Sequence, residues 1–370
     1  MKIAFIGQKG VGVVDRGGGI EKHVTEIGVR LVARGHQVFV YARRAYHPDG
    51  VKQYQGIELI YRPTLYRKNL EAIVHAFFST VHALGQDYDI MHFHGVGPAT
   101  LAWIPRLFKP RAKVVVTFHS QDRFHGKWSA PARAYLHFGE WAAVYFPHAC
   151  IAVSHTLQVL IRKAFKRQVI YIPNGAEIET VPSASALAAF GLQSGEYFLN
   201  VGRIVSQKGL HTLIAAYNQL ETSKKLVFVG APSFSERYAA ELKRMAGANA
   251  NILFVGQQNG EVLRQLYANA YVYIQPSESE GLAVVVLEAM SYGKAVLVSD
   301  IPENVEVIKN TGFTFANRDV PDLARQLNKL LQMPQEVEQM GARAREMVRQ
   351  FFTWDVVAQK TEEVYVSLRH

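Results

Sequence analysis

Tyr197-Phe198-Leu199-Asn200-Val201-Gly202-Arg203-Ile204-Val205-Ser206-Gln207-Lys208-Gly209-Leu210 reads as a strand, a loop and the start of a helix. The first five residues are almost unbroken apolar and aromatic, as a strand buried on both faces of a parallel sheet must be. The loop then carries two cations, and helical periodicity takes over across Leu210–Gln219. The same alternation recurs downstream. Strands are predicted at Leu226–Val229, Ile252–Val255, Val272–Ile274 and Ala295–Val298, separated by helical stretches Glu236–Ala246, Glu261–Ala270 and Ala283–Tyr292. Strands alternating with helices predict an α/β unit with a parallel sheet.

The first half repeats the pattern. Apolar runs at Lys2–Ile6, Val38–Ala42, Ile90–Phe93, Val114–Phe118, Cys150–Val153 and Val169–Ile172 alternate with helical stretches such as Ile20–Ala33, Ala130–Ala143 and Thr156–Ala164. After the turn Pro173-Asn174-Gly175, the small and polar residues around Pro182, Ser183, Ala184 and Ser185 read as a linker. The expectation is two Rossmann-like domains, 1–180 and 181–352. At 370 residues the chain exceeds one comfortable core. Ligands of open parallel sheets bind beyond the strands' carboxyl ends, so a cleft between two such domains is the expected place of function.

With 49% hydrophobic and 19% charged residues the chain suits a packed globular protein rather than a disordered one. A single cysteine, Cys150, rules out an intrachain disulfide and points to a reducing cytoplasm. The N-terminus runs straight into a strand, without the apolar stretch of a signal peptide. Apolar stretches such as Trp141 to Phe146 fall far short of the ~20 residues of a membrane span. The charge is uneven: residues 1–180 hold 23 Lys/Arg against 12 Asp/Glu, and residues 181–370 hold 18 against 19. A one-sided basic field suits an anionic partner, such as acidic lipid headgroups, a diphosphate-linked acceptor or nucleic acid. No aromatic-basic nucleic-acid motif is evident, whereas Arg162, Lys163, Lys166 and Arg167 suit transient docking at the inner face of a membrane.

Three loops carry chemistry. Gly7-Gln8-Lys9-Gly10-Val11-Gly12, continuing to Gly17-Gly18-Gly19, ends where a helix begins, and its amides can approach a phosphate or sugar. It lacks the third glycine of G-x-G-x-x-G and any G-K-[ST], which disfavours a nicotinamide dehydrogenase and a P-loop nucleotidase. Arg203 and Lys208, at a strand's carboxyl end, suit a diphosphate: one grips by its planar fork, the other as a point charge. Finally Pro276-Ser277-Glu278-Ser279-Glu280-Gly281-Leu282-Ala283-Val284-Val285-Val286-Leu287-Glu288 sets two carboxylates eight residues apart. Glu280 belongs to a loop. Glu288 sits in an apolar helix where a charge needs a partner, and vicinal ribose hydroxyls can supply one.

These residues resemble glycosyltransferase family 4, whose retaining enzymes carry E-x7-E after an Arg…Lys-Gly loop. The resemblance spans the chain, through Gly17-Gly18-Gly19-Ile20-Glu21, His92-Phe93-His94-Gly95, Thr117-Phe118-His119 and Pro173-Asn174-Gly175. It implies the GT-B fold, with residues 353–370 crossing back to the first domain. It further implies a nucleotide-diphosphate sugar donor, held by Gly202, Arg203 and Lys208 at the diphosphate, Glu288 at the ribose and Glu280 with the Gly281-Leu282-Ala283 amides at the sugar. Gly18 and Gly19 would line the opposite wall and His119 would sit by the donor sugar, so that His119, Arg203, Lys208 and Glu280 form the catalytic set. A sugar or lipid-linked acceptor is expected near His94, His119, Asp122 and Lys127. One departure is Ala176-Glu177 after Asn174-Gly175, where the family often has an aspartate.

Asp87-Tyr88-Asp89 has the D-x-D spacing of metal-dependent sugar transferases, but it precedes a strand, where polar residues are usually turn residues. His92, His94, His119 and His125 lack the spacing of a zinc motif. No metal and no cofactor are therefore expected. Two other functions use similar residues: a nucleotide-sugar epimerase on the same fold, and a non-enzymatic polyanion-binding protein relying on the basic half.

Overall fold

The computed structural model describes residues 1–13, 18–47, 49–67, 70–120, 130–178, 180, 183–233 and 235–369. The chain divides into two compact units. One comprises Met1–Gly175 with Trp354–His370, the other Ala176–Thr353. The crossing thus falls at Gly175–Ala176, a few residues before the linker expected after residue 180.

In the first unit the strands are β1 (Lys2–Ile6), β2 (Gln37–Ala42), β3 (Gln53–Tyr54), β4 (Ile57–Tyr61), β5 (Ile90–His94), β6 (Lys113–Phe118), β7 (Ala149–Ala152) and β8 (Ile170–Tyr171). They form a sheet of order β3-β4-β2-β1-β5-β6-β7-β8, parallel throughout except for the β3–β4 hairpin. Helices α1 (Gly19–Ala33), α2 (Glu71–Leu84), α3 (Val96–Ala99), α4 (Trp103–Phe108), α5 (Ala130–Tyr145) and α6 (His155–Phe165) connect them. The sheet grows from β1 in both directions, and crossovers between parallel strands are right-handed. That rule sets α1 on one face and α2 to α6 on the other.

The second unit has β9 (Tyr197–Val201), β10 (Lys225–Val229), β11 (Ile252–Phe254), β12 (Val272–Gln275), β13 (Ala295–Ser299) and β14 (Phe313–Phe315), all parallel, in the order β11-β10-β9-β12-β13-β14. Its helices are α7 (Leu210–Tyr217), α8 (Glu236–Ala246), α9 (Gly260–Ala268), α10 (Val284–Ser291), α11 (Pro302–Ile308), α12 (Val320–Gln332) and α13 (Pro334–Phe351). Strand residues Phe198, Leu226, Ile274 and Leu297 and helix residues Leu213, Leu323 and Leu327 share one fully buried core. At about 1.5–3 kcal/mol for each side chain of this kind removed from water, that core dominates the unit's stability.

After α13 the chain returns to the first unit as α14 (Trp354–Ser367). It packs against α1: Arg30 reaches Asp355 at 3.3 Å, and Arg34 and His36 reach Glu362 at 3.2 and 2.7 Å. Tyr365, wholly buried, meets His92 Nδ1 at 2.6 Å.

Candidate functional site

In the second unit β9 is flanked by β10 on one side and β12 on the other, so the direction of winding reverses between β9 and β12. The crevice outside the carboxyl ends at such a reversal is where open α/β sheets bind ligands. The loops that begin there are Gly202–Gly209 after β9 and Pro276–Ala283 after β12. They are tied together by backbone and side chain: the Glu278 amide donates to Gln207 O at 2.9 Å, and Gln207 Nε2 to Ser279 O at 3.1 Å. Gly209 is required at this crossing. Its φ is +65°, and a Cβ there would stand 2.0 Å from the Pro276 carbonyl oxygen.

This close approach brings together two predicted residues. Lys208 Nζ lies 2.5 Å from Glu280 Oε1, with only 17% and 11% of the two side chains exposed. Gln275 Nε2 donates to the same oxygen at 2.8 Å, and Gln275 Oε1 accepts from the buried Tyr273 hydroxyl at 2.7 Å. Burial pushes the Glu280 carboxyl upward, but the Lys208 ammonium and hydrogen bonds from Lys208, Ser277 and Gln275 outweigh it and hold the group below its ordinary value. Glu280 is therefore a fixed carboxylate. It uses one of the three donors on Lys208 and leaves two for a ligand.

Arg203 is exposed, and among the described residues its guanidinium has no hydrogen-bond or ion-pair partner. Gly281, Leu282 and Ala283 are buried and lead into α10. Glu288, on α10, accepts from the Tyr267 hydroxyl at 2.8 Å. Tyr267, on α9, had no signal in the sequence, because only the packing of α9 beside α10 brings it there.

In the first unit the winding reverses at β1 and β5. The glycine loop leaves β1 at Gly7, whose φ is +120° and where a Cβ would stand 2.6 Å from the His94 carbonyl oxygen. Glu21 holds the described parts of the loop, accepting from Lys9 N at 3.1 Å and Gly18 N at 2.8 Å. Gly18 and Gly19, both exposed, open α1.

A buried histidine cluster faces this crevice. His94 Nδ1 and His119 Nε2 are 3.4 Å apart, and His23 of α1 packs edge-on against His119 with ring centroids 4.7 Å apart. His92 is spent internally, on the Tyr365 hydroxyl and on Thr117 Oγ1 at 2.7 Å. His23 Nδ1 meets Asn174 Oδ1 at 2.8 Å; an amide oxygen only accepts, so the proton sits on Nδ1 and the buried Nε2 keeps a lone pair with no partner. Burial lowers His23 to about 4, against the opposing Asn174 bond, and burial followed by repulsion from neighbouring histidines holds His94 and His119 well below the usual value. The cluster is neutral at neutral pH. His23, His94 and His119 each offer a ring nitrogen within 4.8 Å of the others, so they are also the described residues that could hold a metal ion. Sequence reasoning missed His23, which becomes a neighbour only because α1 follows β1, the strand paired with β5, so that the start of α1 meets His94.

The two units each match a known sequence family. The model described as Glycosyltransferase Family 4 matches residues 17–180, and that described as Glycosyl transferases group 1 matches residues 189–347. The chain belongs to glycosyltransferase family 4. Among its relatives, an uncharacterised glycosyltransferase of Methanocaldococcus jannaschii is 28% identical, over 94% of each chain. Sucrose-phosphate synthase from Thermosynechococcus elongatus shares the fold with a TM-score of 0.86 at 23% identity, covering 100% and 99% of the two chains. Anabaena HepE, solved in complex with UDP and glucose, does so with a TM-score of 0.82 at 21% identity, covering 99% and 100%. The fold is GT-B, two Rossmann-like units with a terminal helix returned to the first.

As a member of family 4 the protein is a glycosyltransferase. The D-x-D sequence is occupied structurally: Asp89 Oδ2 accepts from the Lys2 amide at 2.7 Å, and Asp87 stands 3.5 Å from Lys2 Nζ. Asp122 and Lys127, expected at the acceptor, and His125 lie outside the described residues. Among the described residues no helix is long and apolar enough to cross a membrane.

Proposed function

We propose that this glycosyltransferase moves a sugar from a nucleotide-diphosphate donor to an acceptor hydroxyl with retention of configuration and without a metal ion. The observation that carries the reading is the Lys208–Glu280 pair at the winding reversal of the second unit, with Arg203, which has no partner among the described residues, in the same loop as Lys208. A diphosphate leaving group needs fixed cations where its charge develops, and Arg203 with two remaining Lys208 donors meets that need. Anabaena HepE, of like fold, has been solved in complex with UDP-glucose, which supports the donor class.

In the proposed reaction the bond between the anomeric carbon and the diphosphate oxygen breaks, and the acceptor oxygen bonds to that carbon on the same face. The acceptor proton passes to the departing phosphate oxygen. Glu280 orients Lys208 and the sugar, Glu288 takes the ribose, and neutral His119 meets the donor sugar. None of them is a covalent nucleophile. The acceptor is a sugar or a lipid-linked sugar, in polysaccharide, lipopolysaccharide or glycolipid synthesis of bacterial type. The enzyme works in the cytoplasm, in transient contact with the anionic inner face of the membrane.

Turnover of Arg203→Ala and Glu280→Ala tests the assignment. Each should lose about 10²–10³-fold in kcat while remaining folded, the size of effect seen when one donor to a developing charge is removed: Arg203→Ala deletes such a donor and Glu280→Ala releases the Lys208 donor from its position. Unchanged turnover in both would place the site elsewhere.

A further inference from the structure

The exposed side of α4, α5 and α6 is apolar where a folded surface is normally polar. Leu107 and Phe108 end α4 with 68% of each residue exposed. Along α5, Phe138, Trp141 and Tyr145 recur at helical spacing on the outer face, with 46%, 38% and 38% exposed, and their rings stack at centroid distances of 5.7 and 5.1 Å.

The three helices are joined into one surface. All lie on the sheet face opposite α1, by the right-handed crossover rule. Arg106 of α4 hydrogen-bonds His148, just beyond α5. The Tyr145 hydroxyl donates to Phe165 O of α6 at 2.8 Å, and the Arg167 guanidinium lies 4.9 Å from the centre of the Tyr145 ring.

The charge of this surface has one sign. The three helices contain Arg106, Arg133, Arg162 and Lys163, with Lys166 and Arg167 directly after α6, all exposed. Their single acidic residue, Glu140, is buried. Exposed aromatic rings flanked by cations, with no acid to repel an anion, match the chemistry of a lipid surface: the rings enter the headgroup layer while Lys and Arg meet its phosphates. An apolar protein partner would not require the cations, and a nucleic acid would not require Leu107 and Phe108.

We propose that this α4–α5–α6 face of the first unit is where the protein rests on an anionic lipid bilayer. This rests on the transient membrane contact proposed above, and it assigns that contact to a surface containing no residue of the sugar-transfer site. The face lies on the membrane rather than across it.

The test is sedimentation of the full chain with vesicles of phosphatidylcholine, alone or mixed with phosphatidylglycerol. It compares wild type with Leu107→Ser/Phe108→Ser and with Lys163→Gln/Lys166→Gln. Melting curves and turnover of a soluble acceptor confirm that each variant is folded and active, since none of the four residues belongs to the transfer site. Wild type should bind the mixed vesicles and not the neutral ones. The lysine pair should weaken binding roughly 30-fold, from about one kcal/mol per cation near an anionic surface. The apolar pair should weaken it at least about tenfold. No binding by wild type would overturn the membrane contact altogether. Binding unaffected by either pair would keep the contact but overturn this face. A dimer in solution that Leu107→Ser/Phe108→Ser dissolves, without vesicle binding, would overturn the proposal in favour of a contact between copies. Equal affinity for RNA at the same salt would overturn it in favour of a general polyanion surface.

Discussion

Replacing Lys208 by Met removes the cation 2.5 Å from Glu280 and leaves a carboxylate whose side chain is only 11% exposed. Removing one partner of a buried pair typically costs about 3–5 kcal/mol, because the survivor stays desolvated. Here Gln275 still donates at 2.8 Å and both side chains keep some contact with water, so about 2–3 kcal/mol is the expected loss at pH 7.5. For a unit of this size that lowers the melting temperature by about 4–12 °C. The sign with pH is also fixed. In the wild type the Glu280 carboxyl is held below its ordinary value, so its contribution is present above that value and fades only as pH falls beneath it. Without Lys208, burial alone raises the folded-state value, so the variant's deficit should shrink as pH falls towards 5 and the carboxyl protonates. Adding Glu280→Gln to Lys208→Met removes the stranded charge and should restore most of the stability but none of the activity. Calorimetry of the wild type, both single variants and the double variant gives the coupling directly. A Lys208→Met protein within about 0.5 kcal/mol of wild type, or a double variant no more stable than the single, would refute the reasoning.

Gly209→Ala forces a Cβ towards the Pro276 carbonyl at a φ of +65°, and should lose at least about 2 kcal/mol with a matching loss of transfer activity; a fully active, equally stable protein would show that the two loops can part freely. The neutral histidines set a second pH dependence: His23 titrates near 6.5 when unfolded and about 4 when folded, so the unfolded state binds the extra proton and stability falls as pH drops through 6.5. At pH 5 His23 alone should contribute about 2 kcal/mol of that loss, and His23→Gln should flatten the melting profile between pH 7.5 and 5. Tyr267→Phe removes the hydroxyl that donates to Glu288, and should cost about 1 kcal/mol of stability and weaken nucleotide binding about fivefold in titration calorimetry. Unaltered nucleotide affinity would separate Glu288 from the ligand.

Both sheets were legible because their central strands are apolar on both faces and run into loops of polar residues and glycine. Residues 197–201 and 272–275 show this most plainly. Three strands were not: β3 (Gln53–Tyr54) and β14 (Phe313–Phe315) span two and three residues, too short for a periodic signal, and β4 (Ile57–Tyr61) keeps Glu58 exposed. Helices α12 and α13 also escaped notice, although Asp319 accepts from Asp322 N to cap α12 and Pro334 opens α13. In the site, the residue types and their loops could be named from order along the chain, but the pairing of Lys208 with Glu280 could not. Seventy-two positions separate them, and only the adjacency of β9 and β12 closes the distance. His23 and Tyr267 were invisible for the same reason: each acts through a neighbour supplied by strand order or helix packing.

The central claim is that Arg203 and Lys208, the latter held in place by Glu280, grip the diphosphate of a nucleotide sugar. The most direct measurement is the melting temperature of wild type and Arg203→Ala proteins with UDP, GDP or dTDP. One of these nucleotides, at about 100 times its dissociation constant, should stabilise the wild type by about 2.7 kcal/mol, and Arg203→Ala should lose most of that gain at the same concentration. A wild type that responds to none of them, or an Arg203→Ala protein that responds equally, would contradict the account.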